Sequence, residues 1–350
     1  MKLCIFNPSH DIALPYGEKP FTPPTIALKM WRELGWIADF WCDGDSISLT
    51  PGTISSGIDY GRIDGVEPWG WDGYLRKKLL KLGVPHASVP SSESIEVVKN
   101  LSNRRQYAPL LARLRSTDMT VGEATYVTKN DEICSFLNQG ASKYIMKAPW
   151  SSSGRGIRLL NETSLSWARK TIQTQGGIMV EPYYINKVKD FALEFEWKSG
   201  ATEYLGLSLF KNSNDGSAYS GNLVASESVK QNLLSRYVEL SLIDEIRDTI
   251  IAWTNERLKD LTIDTPFGVD MMIVDEGGQY KVHPCVEVNL RRTMGYVALK
   301  VYDRIKEGNI NENITIKTYN YEKDFIGYFS VDAFNGKFTI CEQGMESGQW

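Results

Sequence analysis

The sequence is poor in the residues that build metal clusters and disulfide frameworks. Its 350 residues include three histidines and five cysteines, and no two cysteines have a Cys-x-x-Cys spacing. An odd number of cysteines and so few histidines argue against a zinc site and against a disulfide-stabilised secreted fold. We therefore expect a reducing environment and predict a cytoplasmic protein.

Other absences exclude further classes of protein. The N-terminus has no basic region followed by an apolar run, so we expect no signal peptide. No stretch approaches ~18 consecutive apolar residues, so we expect no transmembrane helix and no membrane partner. The formal net charge is −4, which argues against a nucleic-acid partner because nucleic-acid-binding proteins present a basic face. A homodimer is compatible with all of this.

What the sequence does contain is the balance of an ordinary globular protein. Hydrophobic residues make up 42% and charged residues 23% of the chain, which is long enough for two or three domains. We predict an N-terminal α/β domain at 1–100, α+β units at 101–180 and 181–320, and a C-terminal extension at 321–350.

A strand, a helix and a second strand predict a small parallel α/β layer at the N-terminus. Residues 2–6 read as the first strand, a helix follows Thr22 and stops at Gly35, and residues 37–41 read as the second strand. The polar stretch 211–222 is predicted as a mobile loop and the last ten residues as disordered. Further strands are predicted at 124–128, 144–148, 178–180, 191–197 and 204–210, and a helix at 242–261.

Residues 267–290 predict a β-hairpin with one polar face. Its two halves alternate in hydrophobicity around the turn signal Asp-Glu-Gly-Gly at 275–278. Glu287 and Asn289 share a face, and strand parity adds Asp270 to it. Oxygen ligands of this kind suit a hard cation such as Mg²⁺. An exposed hairpin with polar residues facing water fits the pattern equally well.

The register of this hairpin presents a difficulty. With a four-residue turn, Val274 faces Gln279. Asp270 then faces His283, and Glu287 lies about 13 Å further along the strand at ~3.3 Å per residue. One cation cannot bind both carboxylates at that distance. Either the loop is longer, with about eight residues, or one strand contains a bulge.

A second candidate element is a lysine that precedes a loop of small residues. Lys147 lies in a predicted strand, and the sequence Ser-Ser-Ser-Gly-Arg-Gly follows at 151–156. Small residues let backbone N–H groups approach phosphate oxygens, and a nearby lysine adds positive charge. The order differs from a Walker A loop, in which the lysine follows the glycines. Taken alone, the segment is more simply interpreted as an ordinary turn.

These elements follow one another in an order that resembles the ATP-grasp superfamily. The resemblance covers roughly residues 100–305 and implies two α+β subdomains that enclose ATP, preceded by a small α/β domain. Lys147 and its loop resemble the family's phosphate lysine and lid, the segment 180–184 resembles the hinge that binds adenine, and Asp190 matches the acid that holds the ribose. The ATP-binding residues that the resemblance implies are Arg104, Lys147, Ser153, Gly154, Glu181, Tyr183 and Asp190.

The same resemblance implies a metal site and a reactive arginine. Asp270, Glu287 and Asn289 match the ligands of Mg²⁺, or of Mn²⁺ in its place. Arg291 matches an arginine that steadies the transferred phosphoryl group, and Lys211 is a weaker candidate for that role, since a solvated loop lysine is the simpler interpretation of it. One departure is Arg104, which stands where the family has its first ATP lysine. An arginine still holds phosphate oxygens, and does so bidentately.

The function that the resemblance implies is that of an ATP-dependent ligase. Such an enzyme activates a small-molecule or peptide carboxylate as an acyl phosphate, which an amine then attacks. The alternatives are a kinase of the same superfamily that acts on a hydroxyl, and a nucleotide-binding protein without catalysis. Ligands of open α/β domains bind past the carboxyl ends of strands, which points to Asn7, His10 and Asp11 as substrate contacts. A simple structural role in the loop fits His10 equally well.

Overall fold

The computed structural model describes residues 1–54, 56–139, 143–151, 154, 156–212, 219–308, 315–317, 327–332 and 337–341. Within these residues the strands form a parallel sheet of three strands, an antiparallel sheet of four and a mixed sheet of eight. The predicted class, a parallel α/β layer followed by α+β units, is confirmed. Ser153, one of the predicted ATP-binding residues, and residues 342–350, most of the segment predicted as disordered, lie outside the described residues.

The strands in chain order are β1 (Lys2–Ile5), β2 (Ser46–Ser48), β3 (Gly65–Pro68), β4 (Thr125–Val127), β5 (Tyr144–Lys147), β6 (Ile157–Leu159), β7 (Ile178–Pro182), β8 (Lys187–Lys198), β9 (Ala201–Asn212), β10 (Tyr219–Val224), β11 (Thr265–Glu276), β12 (Gln279–Asn289), β13 (Thr315–Lys317), β14 (Gly327–Asp332) and β15 (Lys337–Cys341).

The α-helices in chain order are α1 (His10–Ala13), α2 (Thr25–Leu34), α3 (Pro51–Ile54), α4 (Gly73–Leu82), α5 (Ser92–Leu101), α6 (Ala108–Leu114), α7 (Asn130–Gln139), α8 (Leu165–Gln175), α9 (Glu227–Leu234), α10 (Leu240–Arg257) and α11 (Met294–Lys306). The 3₁₀ helices are Leu14–Tyr16, Gly35–Trp41, Tyr60–Arg62, His86–Ser88, Arg104–Tyr107 and Glu162–Ser164. None of the helices described is long and apolar enough to cross a membrane.

The parallel sheet lies at the N-terminus, with β1 between β2 and β3. The prediction of a strand at 37–41 is wrong, because this segment belongs to a 3₁₀ helix and the second strand is β2. Ile37, Phe40 and Trp41 are buried in a cluster with residues of α11. Packing of these side chains therefore outweighs the strand preference of the segment.

The four-stranded sheet has the order β4-β7-β5-β6 and is antiparallel throughout. Val127, Ile133 and Met146 are among the buried residues of its core, to which α7 and α8 contribute. This sheet carries two predicted site residues, because Lys147 ends β5 and Glu181 lies in β7.

The eight-stranded sheet has the order β12-β11-β8-β9-β10-β14-β15-β13. Phe191, Phe195 and Trp197 of β8 are buried in the main hydrophobic core, together with side chains of α6, α9 and α10. Side chains alternate along a strand, so Asp190 and Glu194 of β8 lie on the opposite face. The sheet therefore has one apolar, helix-covered face and one polar face.

The loop predicted at 211–222 is shorter than expected. β9 continues to Asn212 and β10 begins at Tyr219, while 213–218 lie outside the described residues. The strands β14 and β15, within the predicted C-terminal extension, join the eight-stranded sheet. The division of the chain into the four predicted segments stays a prediction.

The hairpin β11–β12 has a tight turn and a bulge. Gly277 and Gly278 have φ angles of 69° and 91°, as a two-residue type I′ turn requires. Val274 pairs with Lys281, so the predicted pairing with Gln279 is wrong. Nearer the site, Met272 pairs with His283 but Asp270 pairs with Glu287. The extra residues of β12 form an irregularity, so the predicted bulge is confirmed and the longer loop is wrong.

A segment from the chain before β4 lies along the outer half of β12. Val121 N donates to Val282 O at 2.8 Å, and Val282 N donates to Met119 O at 2.9 Å. The pairing is parallel and centres on Thr120 and Val282.

The N-terminal sheet packs against the start of α11. Arg292, just before this helix, has its guanidinium 5.1 Å from the ring centroid of Trp41 and 5.4 Å from that of Tyr296. It also donates to Pro68 O at the end of β3 and to Glu67 Oε2 at 3.2 Å. These contacts fix the N-terminal sheet beside the end of β12.

Candidate functional site

Two carboxylates face each other across the hairpin at its bulge. Asp270 pairs with Glu287 in the register of β11 and β12, and Asn289 Nδ2 donates to Asp270 Oδ2 at 3.0 Å. Burial, together with the charge of Glu287, raises the pKa of Asp270 to about 7. Two carboxylates held together out of water are unfavourable unless a cation neutralises them. The sheet therefore brings the three predicted metal ligands together.

This set of donors fits a hard divalent cation. Carboxylate and amide oxygens are ligands that Mg²⁺ accepts from proteins, with phosphates and water as the remaining ligands. Among the described residues, no group of three or more His, Cys, Asp and Glu is placed to hold a metal. A cation held by Asp270, Glu287 and Asn289 would therefore complete its coordination with oxygens from a bound ligand or water.

Arg104 joins the hairpin to the segment that follows β5. Its guanidinium forms an ion pair with Glu287 and donates to Ala148 O and to Ser151 Oγ, the last at 2.8 Å. The backbone holds it too, because Arg104 N donates to Pro149 O at 3.1 Å. Arg104 is buried, and its Nε has no hydrogen-bond partner. A positive charge is thus fixed at the junction of two sheets.

Lys147 is the second cation at this junction. It is 4% exposed, and its Nζ lies 2.5 Å from Glu181 Oε2. The same Nζ donates to Val286 O at 3.0 Å, within the bulge of β12. Lys147 therefore contacts both the predicted hinge strand β7 and the strand β12, which carries two of the predicted metal ligands.

The loop after Lys147 is closed at its base by backbone hydrogen bonds. Ala148 N donates to Gly156 O at 2.8 Å, and Ile157 N donates to Gly154 O at 3.1 Å. Gly154 has a φ of 70° and lies between the ends of β5 and β6. The structure therefore places Gly154 in the turn that connects the two strands.

Tyr183 and Asp190 lie on either side of the connection from β7 to β8. Tyr183 is 43% exposed, and its backbone N donates to Lys143 O at 2.8 Å. Asp190 accepts from Lys187 Nζ at 2.7 Å and pairs with Met272 in the register of β8 and β11. Asp190 is on the polar face that carries Asp270, whereas Tyr183 follows the strand β7 that carries Glu181.

Arg291 connects the end of β12 to α1 of the N-terminal segment. Its Nε donates to both carboxylate oxygens of Asp11 at 3.0 Å, its Nη2 donates to Asn289 Oδ1 at 2.9 Å, and its Nη1 donates to Arg292 O at 3.0 Å. The guanidinium lies 5.6 Å from the ring centroid of Trp69. Burial opposes ionisation of Asp11 and is the largest single influence, but the positive charges around it, that of Arg291 foremost, and the hydrogen bonds from Arg291 together lower the pKa of that carboxyl.

Asn7, in the loop after β1, and His10, the first residue of α1, contact the segment 70–72 rather than the residues of this site. Asn7 Nδ2 donates to Gly70 O at 2.8 Å and to Asp72 Oδ2 at 3.1 Å. His10 is buried, and its Nδ1 lies 3.5 Å from Asp72 Oδ2 without a hydrogen bond. Of the three predicted substrate contacts, all of them described, Asp11 is the one that the structure brings to Arg291.

Lys211 is not brought to the site. Phe210 pairs with Asp190 across β8 and β9, so the alternation of side chains puts Lys211 on the other face of the sheet. Its neighbour there is Lys189, whose pKa is lowered by burial and by the charge of Lys211. The sequence did not reveal this, because the segment was interpreted as the entrance to a loop.

The structure adds a buried carboxyl that sequence reasoning missed. Glu194 is 1% exposed and accepts from Thr293 Oγ1 at 2.7 Å, at the first turn of α11. Gly295 makes this close approach possible, because a Cβ there would lie 2.0 Å from Glu194 Oε1. Burial raises the pKa of Glu194 to about 8. The sequence contains a signal for this carboxyl. In Phe-Ala-Leu-Glu-Phe the glutamate alternates with buried aromatic residues, which predicts that it lies on the opposite face of the strand.

The charged groups of the site surround a very small cavity. Its volume is about 10 Å³, enough for a single water molecule. The lining includes Asp11, Arg104, Ser151, Glu287 and Asn289. A nucleotide phosphate cannot enter this space unless Arg104 and Glu287 separate. A larger cavity, of about 520 Å³, lies at the outer end of the hairpin and contains none of the predicted site residues.

Comparisons with known proteins give similarity in structure only. No family model matches the chain, and no curated protein matches it in sequence. N5-carboxyaminoimidazole synthetase from Staphylococcus aureus, complexed with ADP, is 14% identical over 77% of this chain and 65% of that chain, with a TM-score of 0.44.

Two further solved structures are similar at the same level. A biotin carboxylase–ATP complex from Campylobacter jejuni is 13% identical over 94% of this chain and 74% of that chain, with a TM-score of 0.48. D-alanyl-alanine synthetase A from Vibrio cholerae is 16% identical over 71% of this chain and 72% of that chain, with a TM-score of 0.42. Such likeness concerns the fold alone and assigns no activity.

Proposed function

We propose that this chain is an ATP-dependent ligase of the ATP-grasp type. It would activate a small-molecule or peptide carboxylate as an acyl phosphate and join it to an amine. The observation that carries the proposal is the set of contacts of Arg104, which reaches Glu287 on one side and Ala148 and Ser151 on the other. These contacts bring a cationic side chain that can bind phosphate close to a carboxylate that can bind a divalent cation. The two groups meet between two sheets.

Binding of ATP would use the positive charges of this junction. Arg104 and Lys147 would exchange their present carboxylate partners, Glu287 and Glu181, for phosphate oxygens. A divalent cation held by Asp270, Glu287 and Asn289 would supply further neutralisation of the phosphates. The remaining ATP contacts that we propose are Ser153, Gly154, Glu181, Tyr183 and Asp190.

Arg291 is the residue that we assign to the chemistry. An oxygen of the substrate carboxylate attacks the γ-phosphorus of ATP, the bond to the β–γ bridging oxygen breaks, and ADP leaves. Arg291 keeps one N–H on each Nη beyond its bonds to Arg292 and Asn289, and these can stabilise the charge on the transferred group. Because Asp11 already fixes the guanidinium, little reorganisation accompanies the reaction.

The second step transfers the acyl group to the amine. The amine nitrogen attacks the acyl carbon, the bond to the phosphate oxygen breaks, and the nitrogen loses a proton. A competing attack by water would waste the acyl phosphate.

The binding half of the proposal is tested by thermal unfolding with and without Mg-ATP. A ligand at 100 times its dissociation constant stabilises a protein by about 2.7 kcal/mol, so we expect a clear upward shift of the melting temperature. Glu287→Gln should abolish the shift, while Glu203→Gln, on the exposed part of β9, should retain it. Absence of a shift at millimolar Mg-ATP would sink the proposal.

The catalytic half is tested by release of phosphate from ATP in the presence of pooled amino acids and peptides. The ligase predicts ADP and free phosphate in equal amounts, together with an amide product. ADP with a stable phosphorylated product and no free phosphate would indicate a kinase. Stabilisation by Mg-ATP without turnover on any pool would indicate a nucleotide-binding protein.

A further inference from the structure

The cavity of about 520 Å³ lies beside the two crossings of the chain into the four-stranded sheet. This sheet and its helices are formed by residues between Thr125 and Pro182, so the chain enters at the segment before β4 and leaves at the segment after β7. The segment from Arg115 to Glu123 lines one side of the cavity, and Tyr184 lines another. The cavity has no role in the function proposed above.

Both crossings contact one buried side chain of β12, that of His283. Gly122 has a φ of 114°, and a Cβ there would lie 2.6 Å from His283 Nε2, so this position requires glycine. The ring of Tyr184 packs edge-on against the His283 ring, with the centroids 5.7 Å apart. Two backbone hydrogen bonds of Val282 hold the segment 119–121 beside them. Packing thus preforms the walls of the cavity.

The cavity carries charges of both signs. Arg115 Nη1 forms an ion pair with Glu123 Oε1 at 3.0 Å, and Lys281 Nζ forms one with Glu276 Oε2 at 3.1 Å at the tip of the hairpin. Asp118 is exposed in the same wall, and within the described parts of the chain it has no ion-pair partner. These five groups together have an excess of one negative charge.

The charges restrict the class of ligand. An apolar molecule would desolvate them without compensation, and a phosphate or another anion would meet the excess of negative charge. A complementary ligand therefore carries ammonium groups as well as a carboxylate and has a net positive charge. The volume of the cavity lies in the range of about 300–1,000 Å³ that is typical of small-molecule sites.

We propose that this cavity binds an amino acid with a cationic side chain, of the size of lysine. One ammonium group of the ligand binds the Asp118 carboxylate. The ligand carboxylate binds the planar guanidinium of Arg115 by two parallel hydrogen bonds. Glu123, released from Arg115, accepts from the second ammonium group. Every charge of the ligand then has a partner, and the excess negative charge of the wall is balanced.

The exchange of partners at Arg115 costs little, because the present ion pair is exposed. The side chains of Arg115 and Glu123 are 38% and 67% exposed, and ion pairs this exposed contribute little to stability. A ligand that covers them from water strengthens the contacts that replace this pair. With Tyr184 on another side of the cavity, the ligand contacts both crossings at once and fixes their relative position.

Isothermal titration calorimetry of the full chain with L-lysine, without nucleotide, tests the site. We expect saturable binding at millimolar or lower concentration. L-norleucine, which lacks the second ammonium group, and cadaverine, which lacks the carboxylate, should each bind about tenfold more weakly or worse, since each loses a charge-assisted contact. Equal affinity for norleucine and lysine would overturn the proposal.

Matched variants locate the bound lysine. Asp118→Asn should weaken binding by about tenfold or more, whereas Asp131→Asn, which changes another exposed aspartate on α7, should leave it unchanged. Arg115→Gln should weaken the binding of lysine more than that of cadaverine, because the carboxylate is present in lysine alone. Circular dichroism melts check that each variant is folded.

Three further results would overturn the proposal. They are absence of lysine binding by the wild type, unchanged affinity in Asp118→Asn, and loss of binding in Glu287→Gln with retention in Asp118→Asn. The last result would place the amine at the candidate site instead of in this cavity. Because the titrations contain no nucleotide, their outcome is independent of whether the chain binds ATP.

Discussion

The two faces of the eight-stranded sheet are made by the same strands and have opposite properties. On one face, Phe195 stacks on Phe267 with ring centroids 5.2 Å apart, inside the main hydrophobic core. On the other face, Glu194 is buried and Asp270 is half-buried, and desolvation raises the pKa of both carboxyls. Neighbouring residues of one strand thus have different roles: one packs in the hydrophobic core, and the next places a carboxyl group on the opposite face.

The comparison shows where stability and function are separated in this protein. The apolar face lowers the free energy of the folded state by burial. The polar face holds carboxylates out of water, which is unfavourable without counter-charges, and Arg104 and Arg291 supply these charges. Substitutions on the two faces should therefore have different consequences, and four changes test this difference.

The largest effect is expected on the apolar face. Phe195→Ala should lower the free energy of unfolding by about 3–5 kcal/mol, because it leaves a cavity beside Phe267. Urea unfolding measures this loss. Mg-ATP should still stabilise the variant at temperatures where it is folded. A loss below ~1 kcal/mol, or a folded variant that no longer binds Mg-ATP, would contradict the separation.

The next effect is expected at the proposed metal ligands. Glu287→Gln keeps the shape of the side chain and removes its charge, so phosphate release should fall by ~10²–10³-fold. Arg104 loses its ionised partner at the same time. Initial rates with the best substrate pool measure the change, with Glu203→Gln as the control. Wild-type turnover in this variant would show that the reaction does not require the negative charge of Glu287.

The third effect concerns pH and the buried carboxyl of Glu194. Its pKa rises from 4.5 in the unfolded chain to about 8 in the folded protein, so the folded state binds the extra proton between these values. Stability should therefore fall as pH rises through this window, by up to about 1.4 kcal/mol per pH unit. Glu194→Gln should remove that part of the slope.

Asp270, with a folded pKa of about 7 against 3.8, contributes a slope of the same sign. Urea midpoints between pH 5 and 8 compare the wild type with Glu194→Gln. The variant should retain the part of the slope that comes from Asp270. Equal slopes in the two proteins would show that Glu194 does not take up the proton.

The smallest effect is expected from Lys211, which lies on the face opposite to Asp190. Lys211→Ala should change the free energy of unfolding by less than ~0.5 kcal/mol and leave the Mg-ATP shift and phosphate release unchanged. A loss of turnover comparable to that of Glu287→Gln would mean that β9 rearranges on binding, so that both faces serve the reaction.

Sequence patterns predicted some parts of this structure because they are local. The alternation around Gly277 and Gly278 predicted the hairpin, and the shared face of Glu287 and Asn289 followed from strand parity. The distance problem at Asp270 predicted either a longer loop or a bulge, and the structure has the bulge. In each case, the residues that determine the feature lie within the two strands of one hairpin.

Other parts depend on contacts between distant segments and could not be predicted. The segment 37–41 has the residues of a strand, but it packs on α11, which lies more than 250 residues away. The pairing of Asp11 with Arg291 and the stacking of Arg292 on Trp41 likewise require the placement of the N-terminal sheet. The ion pair of Arg104 with Glu287 requires the junction of two sheets.

The strand β12, which carries two of the three proposed metal ligands, lies at the edge of its sheet, and this position has a consequence for aggregation. An edge strand with free backbone groups can pair with a second copy of the chain. Here Met119 and Val121 occupy the outer half of β12, while Lys147 binds the Val286 carbonyl in the inner half. The chain thus protects this edge with its own segments, and a substitution that frees residues 119–121 should promote self-association.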